Sequence, residues 1–246
     1  MTWYDVAGPA DGPAIVFVHG TRLTRGMWAP QVERLSDEFR VIAMDLPGHG
    51  ARASERFTLD GAADALAETI DEAAGGRALV VGLSLGGYVA MHLAGRTPER
   101  VRGLVLTGAT AEPTGLRAAP YRVLAWLMDT FDGHGLDTLD RWLFRTRFPP
   151  AIALPIIRGG FWTSGGAEAL RCLAGHEFKP SLAAYPGPSL ILNGALDLPF
   201  RLGRKGFAAV AQDARCVRIA GATHLANLDR PAAFSEAVRR FAEGLD

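Results

Sequence analysis

Short runs of β-branched and aliphatic residues recur along the chain, each followed by glycine, proline or small polar residues, and longer stretches with helical spacing lie between them. Strands are predicted over 14–18, 41–45, 78–82, 101–107, 189–193 and 215–219, with 2–6 as a further edge strand. Helices are predicted over 30–38, 60–74, 85–96, 201–212 and 231–243, the last with Pro231 in its first turn, where a missing N–H leaves no bond unmade. Nearly continuous apolar strands alternating with helices point to an α/β fold: a mostly parallel sheet with helices on both faces.

The alternation breaks once. From about 111 to 185 there is no strand signal; Leu124, Leu127, Met128 and Phe131 follow i, i+3, i+4, i+7 spacing, and Leu139, Trp142 and Leu143 do likewise. A segment of roughly 75 residues is too long for a plain loop, and its aromatic residues need a surface to bury against. An inserted helical cap over one end of the sheet is expected. No internal repeat or flexible linker separates it, so cap and core are expected to form a single domain over 1–246.

Composition narrows the partners. In 246 residues, 48% hydrophobic and 21% charged is ordinary for a folded domain. Lys plus Arg (26) equals Asp plus Glu (26), so no net field favours nucleic acid or an acidic membrane surface, and neither is expected as a partner. The start lacks a basic, then apolar, leader pattern and no apolar run reaches membrane-spanning length, so a cytoplasmic protein acting on a small molecule is expected. Cys172 and Cys216 have no metal-like spacing, cannot make a disulfide framework, and sit in apolar stretches that suggest packed thiols.

The chemistry starts at Gly82-Leu83-Ser84-Leu85-Gly86, directly after an apolar strand and directly before a helix. A sharp strand-to-helix turn strains its central residue and requires small neighbours two places away, which Gly82 and Gly86 supply. A serine hydroxyl needs a base to take its proton, and the base needs an orienting partner. Of six histidines, His224 follows the last predicted strand, at the edge where Ser84 lies. Asp197 follows the strand 189–193 at the same edge and precedes the histidine in chain order. Glu112, after the strand 101–107, is the alternative acid. Oxyanion donors are expected from the Leu85 backbone N–H and from the loop after 14–18, at Thr21.

Other candidates have plainer readings. His19 and His49 sit beside glycine at strand ends and are expected to hold loops; His92 lies within a helix and His134 and His176 within the cap, so no metal site is expected. The only glycine cluster of fingerprint type belongs to the turn at Ser84, so no organic cofactor is expected. Trp126, Phe131, Trp142, Phe144, Phe148, Phe161 and Trp162 could roof Ser84, with Trp126, Trp142 and Trp162 as substrate-binding candidates. Arg22 could hold a substrate carboxylate through its planar fork.

His19-Gly20, Asp45-Leu46-Pro47-Gly48-His49-Gly50, Gly82 to Gly87, Pro98-Glu99-Arg100-Val101, Asp197 and His224-Leu225-Ala226-Asn227-Leu228 resemble the α/β-hydrolase superfamily in order and spacing over nearly the whole chain. The resemblance implies an eight-stranded sheet, here with a shortened start, and carries nucleophile, acid and base onto Ser84, Asp197 and His224. Within the superfamily the branch of 3-oxoadipate enol-lactonases and related small esterases is the most similar. A serine argues against the branches with an aspartate nucleophile. The expected activity is hydrolysis of a small or medium, mostly apolar ester or lactone through an acyl-enzyme. Carbon–carbon bond or thioester hydrolysis with the same triad, or a slow-turnover ligand-binding signalling protein on this fold, remain as alternatives.

Overall fold

The structure, a computed structural model, describes residues 2–131 and 134–245. The chain opens with β1 (Tyr4–Ala7), β2 (Ala14–Val18), α1 (Ala29–Leu35) and β3 (Arg40–Met44). It continues through α2 (Leu59–Ala73), β4 (Ala78–Leu83), α3 (Leu85–Arg96) and β5 (Val101–Thr107). Next come the helices α4 (Ala119–Thr130), α5 (His134–Arg147), α6 (Pro150–Gly159), α7 (Thr163–Leu173) and α8 (Lys179–Ala184). The chain ends with β6 (Pro188–Gly194), α9 (Leu198–Ala208), β7 (Asp213–Ile219), α10 (Ala226–Asp229) and α11 (Pro231–Glu243).

The strands form one sheet in the order β1-β3-β2-β4-β5-β6-β7, parallel throughout except for β1, which pairs antiparallel with β3 at the edge. Strands are apolar on both faces because both are covered. Val16 and Val18 of β2 and Val80 of β4 pack with Leu66, Val89 and Phe178 on one side. Ile15 and Phe17 of β2 and Leu79 and Val81 of β4 pack with Trp28, Phe234 and Val238 on the other. A residue period of two thus divides central strands such as β2 and β4 between two cores.

Seven strands stand among the described residues where the resemblance implied eight. Residues 2–13 are taken up by β1 and the turn that carries the chain into β2, so β3 has a single antiparallel partner at this edge. Helix α9 begins at Leu198 rather than at the expected residue 201, because Pro199 opens its first turn with Asp197 at the N-cap position. Cys216, expected to be packed, is exposed on β7. That strand is the other edge of the sheet, and most of its residues face solvent.

The segment between β5 and β6 contains helices, but their buried faces differ from the expected stripes. Helix α4 buries Ala125 and Met128, with Tyr121 packed beside them, against Ala167 and Leu170 of α7. Small residues at this contact let the two helices approach. The stripe is therefore rotated from the expected one, which leaves Leu124 and Phe131 exposed and turns Trp126 outward at 61% exposure. On α5, Leu139, Trp142 and Leu143 are also exposed, Trp142 at 60%. Residues 132 and 133 of the expected cap lie outside the described residues.

Packing at the β4–α3 turn leaves no room for a side chain. A Cβ built on Gly86 would sit 2.1 Å from the carbonyl oxygen of Val18, and one on Gly82 would sit 2.4 Å from that of Gly86. Both neighbours are backbone, which cannot swing aside as a side chain can. Gly86→Ala is expected to destabilise the fold by about 3 kcal/mol, measured by urea unfolding. Gly135→Ala in α5, where a Cβ meets nothing within 4 Å, is the control and is expected to be neutral or stabilising.

Candidate active site

Ser84 occupies the turn between β4 and α3 with φ 53° and ψ −114°. It and Arg22, at φ 66°, are the non-glycine residues with positive φ among the described residues, and both line one cavity. Such a backbone costs about 1–3 kcal/mol and persists only where its surroundings hold it. At Ser84 the restraint is explicit: its N–H donates to the Thr107 carbonyl (2.8 Å), and its carbonyl accepts from Gly87 (3.0 Å) and Tyr88 (3.2 Å). The turn lifts the hydroxyl to the cavity wall at the start of α3, whose first N–H groups have no helical partner.

Two further loops meet Ser84 at this edge. The Leu196 N–H donates to the Ala222 carbonyl (2.9 Å) and the Ala195 N–H to that of Ile219 (2.9 Å), which zips the loop after β6 to the loop after β7. Their close approach is possible because Gly194 has no Cβ, which would sit 2.1 Å from the Thr223 carbonyl oxygen. The result is a 3.0 Å hydrogen bond between His224 Nδ1 and Asp197 Oδ2, with the Asp197 side chain buried and that of His224 about one-third exposed. That bond fixes Nδ1–H toward the carboxylate and leaves Nε2 as the free ring nitrogen. Ser84 and His224 line the same cavity. No hydrogen bond joins them among the described residues; contacts of this kind commonly tighten when substrate enters. Glu112, the alternative acid, is engaged elsewhere: its carboxylate accepts from the backbone of Phe178 and Lys179 at the start of α8.

The loop after β2 is held from below by two buried histidines. His19 spans from the Gly20 carbonyl (2.9 Å) to the Leu46 N–H (3.0 Å), and His49 from the Pro47 carbonyl (3.0 Å) to the Arg22 N–H (3.2 Å). Each ring must donate from one nitrogen and accept at the other, so each must be neutral. With the Arg22 N–H taken up by His49, the Thr21 N–H is left without a backbone or side-chain acceptor among the described residues, as is that of Leu85.

The cavity has a volume of about 590 Å³. Leu23, Leu124, Met128, Leu170, Phe200 and Leu225 supply much of its wall, with Thr21, Arg22, Arg117 and Tyr121 as polar members. Arg22 is where the sequence places it, but its guanidinium is paired with Asp140 of α5 and lies 3.4 Å from Thr163 Oγ1. A substrate carboxylate would have to compete with Asp140 for it. Burial pushes the Asp140 carboxyl pKa up, and the Arg22 charge acts against that shift.

None of the seven expected roof aromatics lines the cavity. Trp126 faces outward because α4 buries another face, and Trp142 lies on the exposed side of α5, opposite the half-buried Phe144 and Asp140. Trp162 binds backbone instead, its N–H donating to the Arg22 carbonyl (2.9 Å) and its indole to that of Gly159 (3.0 Å). Phe144 packs on Phe148 and Phe161, with ring centroids 5.7 and 5.4 Å away.

Several residues at the site have no local sequence signal. Phe200 stacks on the His224 ring, with centroids 4.8 Å apart and planes 30° apart. Gly108, just past β5 at φ 57°, makes room for that ring: a Cβ there would sit 2.6 Å from His224 Cε1. Asp229 clamps the loop before the histidine, accepting from the Thr223 N–H (2.7 Å) and hydroxyl (2.6 Å) and from Arg147 (2.7 Å). The turn glycine after β5, at least, could have been flagged by its position at a strand's carboxyl end.

The topology and the glycine-bounded turn define an α/β-hydrolase fold. A model of the alpha/beta hydrolase family matches residues 15–237, and the chain belongs to that family. It is 34% identical to a pimeloyl-[acyl-carrier protein] methyl ester esterase of Nitrosomonas europaea, over 76% of this chain and 79% of that one. Among solved structures, an esterase from Thermogutta terrifontis superimposes with a TM-score of 0.82 at 27% identity, covering 98% of this chain and 93% of that one. The enol-lactonase from Burkholderia xenovorans LB400 does so with a TM-score of 0.82 at 26% identity, covering 97% and 95%. The chain is thus an α/β-hydrolase enzyme of carboxylesterase type. Among the described residues no helix is long and apolar enough to cross a membrane.

The buried histidines set an acid limit. Burial lowers the pKa of His19 from 6.5 to about 4 and that of His49 from 6.5 to about 3. The unfolded chain therefore takes up protons below about pH 6.5 that the folded chain refuses. Stability from this source is full above that pH and is lost progressively as pH falls toward 4, at up to about 1.4 kcal/mol per pH unit for each ring. Urea unfolding between about pH 5 and 8 is expected to show this slope, and His49→Gln, which cannot titrate, to reduce it. An unchanged slope in that variant would place the acid sensitivity elsewhere.

Proposed function

We propose that this enzyme is a serine hydrolase that cleaves a small or medium, mostly apolar carboxylic ester, with Ser84 as nucleophile, His224 as general base and acid, and Asp197 orienting the imidazole. The observation that carries this reading is the His224–Asp197 hydrogen bond of 3.0 Å at the wall of the cavity that Ser84 also lines. The Ser84 hydroxyl passes its proton to His224 Nε2 as its oxygen bonds to the ester carbonyl carbon. Charge gathers on the former carbonyl oxygen, where the free N–H groups of Thr21 and Leu85 are the donors. The carbon–oxygen bond to the alcohol then breaks, and His224 returns the proton to the leaving oxygen. Water repeats the sequence on the acyl-enzyme and releases the acid.

A cavity of about 590 Å³ walled by leucine, methionine and phenylalanine suits an aliphatic or aromatic acyl group. The relatives named for a methyl ester on a carrier-borne chain agree with an ester whose acyl part is a run of methylenes. A lactone would be opened by the same steps, its alcohol staying attached to the acyl group, and the likeness to an enol-lactonase supports this as a second substrate type.

Ser84→Ala is expected to lower kcat on short p-nitrophenyl and methyl esters by about 10⁴-fold or more, and Asp197→Asn by about 10³- to 10⁴-fold. A fluorophosphonate is expected to label the parent protein once, at Ser84. A Ser84→Ala protein as fast as its parent ends this reading. Labelling without multiple turnover on any ester, lactone or thioester would point to ligand binding in place of catalysis.

A further inference from the structure

A short polar relay crosses from the core to the apolar cavity, and its direction follows from counting protons. Tyr88, on the first turns of α3, is buried, and its phenol oxygen lies 2.7 Å from the Ala111 carbonyl oxygen and 2.9 Å from the phenol oxygen of Tyr121 on α4. A carbonyl can only accept, so at 2.7 Å the single Tyr88 proton must lie toward Ala111. Tyr88 then has only lone pairs to offer at its second contact, and Tyr121 must donate there. Tyr121 has one proton as well, and it is now committed. What remains on its oxygen is acceptor capacity, on a residue that lines the cavity, as Ala111 does.

We infer that Tyr121 is a specificity-determining residue: with its proton held by Tyr88, its oxygen accepts a hydrogen bond from an amide N–H or hydroxyl of the substrate, and so favours esters that carry such a donor beside their apolar chain. The inference rests on the cavity being the substrate site proposed above. Among the other polar side chains on the wall, the two arginines cannot take this role. Arg22 and Arg117 carry only donors, and Arg22 is already paired with Asp140. Burial pushes both phenol pKa values up from 10, so both rings stay protonated and the relay keeps its direction across the neutral range. Tyr88 acts through Tyr121 as a positioning residue: it takes the proton that would otherwise make Tyr121 tolerant of donors and acceptors alike.

The test uses two matched methyl esters of equal length, one with a secondary amide in its acyl chain and one with the same amide N-methylated, which keeps the carbonyl and removes the donor. The ratio of their kcat/KM values in the parent protein is expected to favour the N–H ester about five- to tenfold. Tyr121→Phe is expected to bring the ratio close to one. Tyr88→Phe frees the Tyr121 proton to donate, so the N-methyl ester is expected to gain relative to its partner. A structural role alone does not predict that selective gain. Calorimetric titration of the same two esters into Ser84→Ala protein reads the preference without turnover, so a wrong nucleophile and a wrong recognition residue give different results. No turnover by the parent, with the binding preference intact, sinks only the catalytic reading. A parent ratio near one in both assays, or a Tyr121→Phe ratio equal to the parent's, overturns the role of Tyr121. Circular dichroism melting of both phenylalanine variants checks that each remains folded.

Discussion

The first turn of α3 is pressed against the end of β2 with no room for a single methyl group, and the site is built around that contact. Because Gly86 meets the Val18 carbonyl, the helix must start immediately after β4, and Ser84 must take a backbone conformation that L-residues avoid. The strain is local, but its restraints come from across the sheet: the Thr107 carbonyl holds the Ser84 N–H from β5. The same contact sets the start of α3 against the backbone of Val18 and His19, where the loop after β2 begins. The strained turn and the placement of the loop after β2 therefore share one packing constraint.

Burial and charge are distributed around the site in a consistent way. The histidines beneath the loop after β2 are deeply buried and bonded only to backbone, which makes them neutral fasteners. His224 is instead about one-third exposed and carries a buried carboxylate behind it. In the proposed mechanism the base needs contact with both a counter-charge and the cavity, and among the described residues His224 has both. Asp45 shows how a buried charge is tolerated elsewhere: its carboxylate accepts from the Arg25 side chain and from the backbone of Arg25 and Ala51.

Much of this arrangement is legible in the sequence, for identifiable reasons. A strand buried on both faces reads as an apolar run, so β2, β4 and β5 are found within a residue of their observed bounds. The turn at Ser84 announces itself because its geometry demands glycine at fixed offsets. Asp197 and His224 can be matched because each follows a strand at the same edge of the sheet, and the structure joins them by a hydrogen bond. Phe200 and Tyr121 could not be found in this way. Each reaches the site through packing between elements distant in the chain, with no motif of its own. The expected stripe on α4 went wrong for a related reason: several faces of that helix are apolar, and the partner helix α7 selects the one with small residues.

That contrast separates two kinds of information in the chain. Ser84, Asp197 and His224 sit on the loops after β4, β6 and β7, and Thr107 and Gly108, which bond to or abut them, lie at the end of β5, where backbone geometry leaves few alternatives. The cavity wall comes largely from elsewhere: Leu124 and Met128 from α4, Leu170 from α7 and Phe200 from α9. The helices between β5 and β6 meet the rest of the fold through side-chain packing, ion pairs such as Arg22–Asp140 and Arg147–Asp229, and isolated backbone bonds such as that from the Trp162 N–H to the Arg22 carbonyl, rather than through strand pairing. Side-chain contacts of this kind can be exchanged one at a time, whereas a change at Gly86 or Gly82 disturbs the backbone of two elements at once. The proposed chemistry is accordingly anchored where strands and tight backbone contacts hold the chain, and much of the shape and polarity of the cavity where helices meet through side chains.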